Sequence, residues 1–388
     1  MRVLFLLKSL TLGGVEVVTA TLANRFAKSG IDVSIFVFSS ENIVLANRIC
    51  EDVFVTYGDG YRYSKKNISL IKTILVNKKI DVVINQWGLP FLPIILLRRA
   101  KLGLNVKVIS VYHNDPMMNG KIQYVRNIKN MSKGYISKKI FSFAEYVVSR
   151  FTAMSMSYVY KYSDFYVVLS PCYVEAFSKF TKISNPKKIV VQTNPITIED
   201  SIESAEKKKE IIFVGRIDNQ AKRVDRILSI WSLLENKFPD WKLILVGEGC
   251  DLNNMKDFAE KLKLTRVSFE GYMNPIEYYK RASILMLMSE FEGFPLVLPE
   301  CMSAGVIPIV YESFLAVHDI VDDNKNGFII SSAKGFDERL VAERVAVLMS
   351  DETLRSSMSI EAMKKSASFS LSKICMQWNE LLRSSKKN

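Results

Sequence analysis

Short apolar runs of four to seven residues alternate along this chain with longer stretches of helical period, and the alternation occurs twice. In the first half the runs are Arg2 to Leu7, Val33 to Phe38, Asp81 to Asn85 and Val106 to Tyr112, with helical patterns over Val15 to Lys28 and Ile68 to Asn77. A strand that reads as a continuous apolar run is covered on both faces, as in parallel sheets flanked by helices. The first half therefore predicts a doubly wound α/β domain.

A polar stretch rich in Glu, Ser and Lys runs from Asn194-Pro195 to Lys209 without apolar period and reads as a linker. The alternation then resumes: strands Ile211 to Val214, Lys242 to Val246, Val267 to Glu270, Ile284 to Met288 and Ile307 to Val310, with helices Lys222 to Lys237, Asn253 to Leu262 and Leu296 to Ser303. The expected domains are 1–195 and 196–370, with a final helix, Leu371 to Leu382 within segment 371–388, crossing back onto the first. A length of 388 residues suits two such cores. Two parallel sheets facing each other would leave a cleft lined by the carboxyl ends of their strands, where open α/β sheets bind ligands.

Several function classes are disfavoured. The apolar start is broken by Lys8 and followed by no small-residue cleavage site, so it reads as a buried strand rather than a secretion signal. The stretch Leu89 to Leu97 contains Pro90 and Pro93, ends at Arg98-Arg99 and falls short of the roughly 20 residues needed to span a bilayer. Five scattered cysteines with no C-x-x-C pair argue against a disulfide framework or zinc site and suit a reducing cytoplasm. With two histidines and no D-x-D pair, the usual carboxylate platform for a divalent metal on a diphosphate is missing, so metal-independent chemistry is expected.

The net charge of +13 is unevenly spread: residues 1–195 carry +16 and the remainder −3. An anionic partner is expected for one domain alone.

Three places carry candidate chemistry. Gly13-Gly14 lies between the first strand and a helix opening at Val15-Glu16, which suits either an ordinary turn or a phosphate at a helix N-terminus. Strand Ile211 to Val214 runs into Gly215-Arg216, with Lys222 six residues on. These are two surface cations or, at the carboxyl edge of a sheet, a clamp for a diphosphate. The third is Glu292-Gly293-Phe294-Pro295-Leu296-Val297-Leu298-Pro299-Glu300, two carboxylates around a helix start that can reach different hydroxyl groups of one elongated ligand.

Together these residues resemble the family 4 glycosyltransferases, the large retaining group with the GT-B fold. Six segments carry the likeness in order: Gly13-Gly14-Val15-Glu16; Asp164 to Ser170 with Asn194-Pro195-Ile196; Gly215-Arg216 with Lys222; Val246-Gly247-Glu248-Gly249; Glu270-Gly271-Tyr272; and Glu292-Gly293-Phe294 through Glu300 to Gly305. The resemblance implies that Arg216 and Lys222 hold the donor diphosphate with help from the Gly14 amide, and that Glu300 holds the ribose. It implies that the loop Glu292-Gly293-Phe294 faces the donor sugar and that the backbone near Tyr272 receives the base. Gly215, Gly247 and Val297 fall in the same donor-binding segments, and His113 matches the family's histidine near the reacting sugar. It further implies transfer with retention, without cofactor or metal, the departing diphosphate itself taking the acceptor hydroxyl's proton. The sequence departs from the family at Arg223, where glycine is common, and at Pro299 inside the carboxylate motif.

The expected donor is a UDP-hexose and the expected acceptor a lipid-linked or cell-surface glycan of the polysaccharide or lipopolysaccharide type. Residues 117–150 hold Lys121, Arg126, Lys129, Lys133, Lys138, Lys139 and Arg150 against Glu145, interleaved with Tyr124, Tyr135, Phe141 and Phe143. That mixture suits either a solvated helix face or peripheral docking on anionic headgroups at the inner face of the cell membrane. Rival readings are a GDP-mannose-dependent mannosyltransferase, a nucleotide-sugar epimerase, for which two histidines are few, and a non-catalytic partner subunit with no need of the paired charges. A nucleic-acid binder is suggested by charge alone, with no reading element, so no nucleic-acid partner is expected.

Overall fold

The computed structural model describes residues 1–41, 43–132, 134–198 and 206–387, so Lys133 and the centre of the expected linker, 199–205, lie outside the described residues. The chain divides into two compact units, Met1–Asn194 with Ser372–Asn388, and Pro195–Leu371.

The first unit is built on a parallel sheet of seven strands: β1 (Arg2–Leu7), β2 (Asp32–Val37), β3 (Phe54–Tyr57), β4 (Val82–Asn85), β5 (Lys107–Tyr112), β6 (Phe165–Val168) and β7 (Ile189–Val191). Their spatial order is β3-β2-β1-β4-β5-β6-β7, so the direction of winding reverses between β1 and β4. Leu4, Phe5, Leu6 and Leu7 are fully buried in β1, as a central strand covered on both faces requires. The helix Leu371–Lys387 packs on this unit: Trp378 meets Phe26 edge-on at 6.4 Å between ring centroids, and the Gln192 amide donates to Gln377 at 2.9 Å.

The second unit repeats the plan with β8 (Glu210–Val214), β9 (Lys242–Val246), β10 (Val267–Gly271), β11 (Ile284–Leu287), β12 (Ile307–Tyr311) and β13 (Phe328–Ile330), in the order β10-β9-β8-β11-β12-β13. Here the winding reverses between β8 and β11, which pair at Ile211 with Ile284 and Ile212 with Leu285. Trp231, Ile211, Leu243 and Met286 belong to one buried cluster beneath the sheet.

Local chemistry moves two expected boundaries. The helix expected from Lys222 begins at Val224, because Lys222 closes a turn on the Asp218 carbonyl at 2.7 Å and Arg223 is left-handed at φ +50°. The helix expected from Ile68 begins at Lys65, capped by the Ser64 hydroxyl, which accepts from the Asn67 amide at 3.1 Å. Pro299 falls in the first turn of helix Val297–Ser303, where a missing amide breaks no intrahelical bond.

Candidate functional site

Open α/β sheets bind ligands outside the strand ends where the winding reverses. In the second unit the segment after β8 supplies Gly215, Arg216 and Lys222, and the segment after β11 supplies Ser289 to Phe294. The Lys222 ammonium contacts the Glu292 carboxylate at 2.6 Å, with both side chains mostly shielded. The same carboxylate oxygen accepts from the Ser289 hydroxyl at 2.7 Å, which fixes its direction.

Arg216 belongs to the same turn but takes a different partner. Its side chain is 68% exposed and pairs with Asp218 at 3.1 Å. The Asp218 carboxylate also accepts from the Gln220 amide at 3.1 Å, while the Asp218 carbonyl receives the Lys222 amide. One aspartate thus ties the two predicted cations to a single loop. Asp218, Cys250 and Asp251 bring possible metal-ligand atoms within 4.8 Å of one another, the one such group among the described residues. Asp251 there caps a turn, accepting from the Asn219 amide at 2.8 Å.

Close backbone packing builds the floor. A Cβ added at Gly247 would lie 1.8 Å from the Gly215 carbonyl oxygen, and Gly247 has φ +146°, so no other residue fits. The Gly215 amide donates to Val246, the Ile217 amide to Glu248 and the Gly247 amide to Gly271, extending the pairing of β8, β9 and β10 past their ends. Tyr272, just beyond β10, is exposed.

Glu300 is buried, and its two oxygens accept from the Thr197 hydroxyl at 2.5 Å and the Tyr279 hydroxyl at 3.5 Å. Phe294 is buried edge-on against Phe369 at 5.7 Å, so its ring serves the core and the loop's reach lies with its backbone. Gly293 is buried and Val297 half-buried at the start of the helix that carries Glu300.

Arg223 occupies the left-handed position that glycine fills most easily. Its guanidinium grips Asp225 at 2.9 Å and Glu290 at 3.1 Å, contacts that offset the backbone strain. Glu290 also receives Arg226 at 2.7 Å, and the Glu290 amide donates to Ala221 at 2.7 Å, locking the β11 loop to the Lys222 turn. Burial lowers the Arg226 pKa; its guanidinium also lies 4.5 Å from the Phe336 ring centroid. Sequence reasoning missed Thr197, Ser289 and Glu290. Ser289 stands three residues before Glu292, a readable signal, whereas Thr197 lies 103 residues from Glu300.

In the first unit, His113 follows β5 and its Nε2 lies 2.8 Å from the Gln86 side-chain oxygen, while Nδ1 is buried with no partner among the described residues. Burial pushes its pKa down to about 4, leaving the imidazole neutral near pH 7. Gly14 opens helix Gly14–Lys28. The Glu16 carboxylate doubles back over Gly13, where a Cβ would lie 2.4 Å from its Oε2. Burial raises the Glu16 pKa, opposed by bonds from its own amide and Ser9 and by the nearby Lys8. The first turn behind Gly14 therefore already holds a buried carboxyl side chain.

Two family models match consecutively: Glycosyltransferase Family 4 over residues 12–200 and Glycosyl transferases group 1 over residues 196–365. The chain belongs to the family 4, group 1 glycosyltransferases. This glycosyltransferase is 24% identical over 393 residues, 98% of each chain, to the GalNAc-alpha-(1->4)-GalNAc-alpha-(1->3)-diNAcBac-PP-undecaprenol alpha-1,4-N-acetyl-D-galactosaminyltransferase of Campylobacter jejuni. Its fold is similar to that of the Anabaena protein HepE in complex with UDP, at TM-score 0.75 and 14% identity over 99% of this chain and 100% of that one. It is also similar to a variant of S. aureus TarM in complex with fondaparinux, alpha-GlcNAc-glycerol and UDP, at TM-score 0.72 and 13% identity over 98% and 100% of the two chains. The glycosyltransferase shares with them the GT-B fold of two parallel-sheet units that the sequence led us to expect.

Proposed function

We propose that this glycosyltransferase moves a hexosyl residue, with retention, from a nucleoside diphosphate sugar to a lipid-linked or cell-surface glycan, and that UDP is the carrier. The observation that carries the reading is the shielded Lys222–Glu292 pair at the reversal point of the second sheet. The UDP bound by HepE and TarM supports the carrier, and the undecaprenol-linked acceptor in the name of the Campylobacter relative supports the acceptor class.

In this reading Lys222 and Arg216 neutralise the charge that grows on the departing diphosphate, in place of a divalent metal. A fixed ammonium needs little reorganisation as the charge develops, and Glu292, itself fixed by the Ser289 hydroxyl, holds it in place. Glu292 and the Gly293 and Phe294 backbone orient the sugar; Glu300 reads the ribose from the helix that starts at Val297; Gly215, Gly247 and Tyr272 shape the nucleotide side. In the first unit, the neutral His113 offers a hydrogen bond to a sugar hydroxyl, and Gly14 offers an amide. The leaving phosphate oxygen takes the acceptor hydroxyl's proton, so catalysis rests on positioning and charge stabilisation.

The test is release of nucleoside diphosphate from a panel of nucleotide sugars in the presence of a chelator, with and without a lipid-linked acceptor. Turnover of a UDP-hexose with the chelator present is expected, and Lys222→Ala should lower it by a factor on the order of 10² to 10³. No turnover of any donor would favour the partner-subunit reading instead. Work at the inner membrane face is part of the proposal; among the described residues no helix is long and apolar enough to cross a membrane.

A further inference from the structure

The first unit carries one long helix whose apolar face has no cover among the described residues. Of the 27 residues in Tyr135–Lys161, the buried ones are Thr152, Ala153, Met156 and Val159, all in its second half. Ile136, Ile140, Phe143, Val147, Phe151 and Met154 are exposed, from 44% at Val147 to 74% at Ile136. At 100° per residue these six positions fall within an arc of about 80° and form a stripe roughly 27 Å long. Large apolar side chains gathered in this way mark an interaction surface.

Charge settles which surface. The helix's one acid, Glu145, lies about 160° around from the centre of the stripe and is bound there by Arg126 and Lys129 of helix Gly120–Met131. Those two cations hold its carboxyl below the ordinary range, through the Lys129 hydrogen bond first. They brace one helix against the other, which removes them from the basic face that the sequence suggested. Of the helix's own cations, Lys138 lies on the Glu145 side, while Lys139, Arg150 and Lys161, eleven residues apart, run along one edge of the stripe. Eleven residues are about three turns, so the row repeats every ~16 Å along the helix. No acid of this helix lies on the exposed side to answer those cations in a second copy of the chain.

We infer that helix Tyr135–Lys161 lies in the plane of an anionic membrane, with the Ile136-to-Met154 stripe among the acyl chains and Lys139, Arg150 and Lys161 at the headgroups. An apolar stripe edged by cations is what in-plane insertion requires, and each cation adds attraction to an anionic leaflet. The inference deepens the proposed membrane-side acceptor but stands on geometry, so it can fail while sugar transfer survives, and the reverse.

The full chain is mixed with vesicles of phosphatidylcholine alone or of phosphatidylcholine with phosphatidylglycerol, and bound protein is measured by sedimentation. We expect binding to the anionic vesicles and little to the neutral ones. The pair Phe143→Ser with Phe151→Ser should weaken it by at least tenfold, on the order expected for lost apolar burial, and Lys139→Glu with Arg150→Glu by about fivefold or more per site. Circular dichroism and thermal unfolding of each variant confirm that it is folded. A Phe143→Trp variant gives a second readout: quenching by lipids brominated on their acyl chains, but not by a water-soluble quencher, is expected. Equal binding by wild type and the folded serine variant would overturn the inference. So would absence of binding to either vesicle, or wild-type dimers that the serine variant dissolves.

Discussion

Lys222 and Glu292 stand 70 residues apart in the chain and 2.6 Å apart in space, and most of the proposed chemistry depends on that meeting. Each was legible as a residue type at a strand's carboxyl end; their contact was not, because a pairing across two loops leaves no local periodicity. Arg216 reads the same in sequence as Lys222 yet stays largely exposed against Asp218, so its removal should cost less than that of Lys222 in the nucleotide-release assay. His113 gives a stability test. Burial holds its folded pKa near 4, against 6.5 for the free group, so below about pH 6.5 the unfolded chain binds a proton that the folded chain refuses. Stability is thus retained above that value and falls as pH drops toward 4, by roughly 2 kcal/mol at pH 5. Thermal unfolding at pH 7 and pH 5 should show that loss in wild type and a smaller one in His113→Gln; equal losses would exclude His113 as the source.

At the level of elements, the strands were readable wherever burial on both faces made their apolar runs continuous, as in β1, β5 and β9. Short strands escaped: β3 (Phe54–Tyr57) has Phe54 exposed, and β7 (Ile189–Val191) spans three residues without a fully buried one. Arg223 shows the opposite limit, since a left-handed arginine is legible only once its grip on Asp225 and Glu290 is seen. Two predictions belong here. Gly247→Ala forces a Cβ onto the Gly215 carbonyl, so it should destabilise the second unit and weaken nucleotide binding together, as read by unfolding and calorimetry. Trp378→Ala leaves a hole against Phe26 and should cost about 3–5 kcal/mol in denaturant unfolding; an unchanged midpoint would mean that the last helix is not part of the first unit's core.

Over the whole molecule, the two units share one winding plan, and the candidate site of the second lies where β8 and β11 part, as expected for a parallel sheet whatever its chemistry. The charge division, +16 against −3, was open in the sequence, but the use of its cations was not: Arg126 and Lys129 turn inward to Glu145, and an apolar stripe lies on the other side of the helix that carries Glu145. The central claim is that side-chain cations of the second unit do the work of a metal on a diphosphate. Calorimetric titration of the purified chain with UDP in excess chelator tests it most directly, comparing wild type with Lys222→Ala. The account predicts binding by wild type without any metal and at least a tenfold loss in the variant, on the scale of a lost charge-assisted hydrogen bond. Binding that appears only when a divalent metal is restored, or equal affinities for the two proteins, would contradict it.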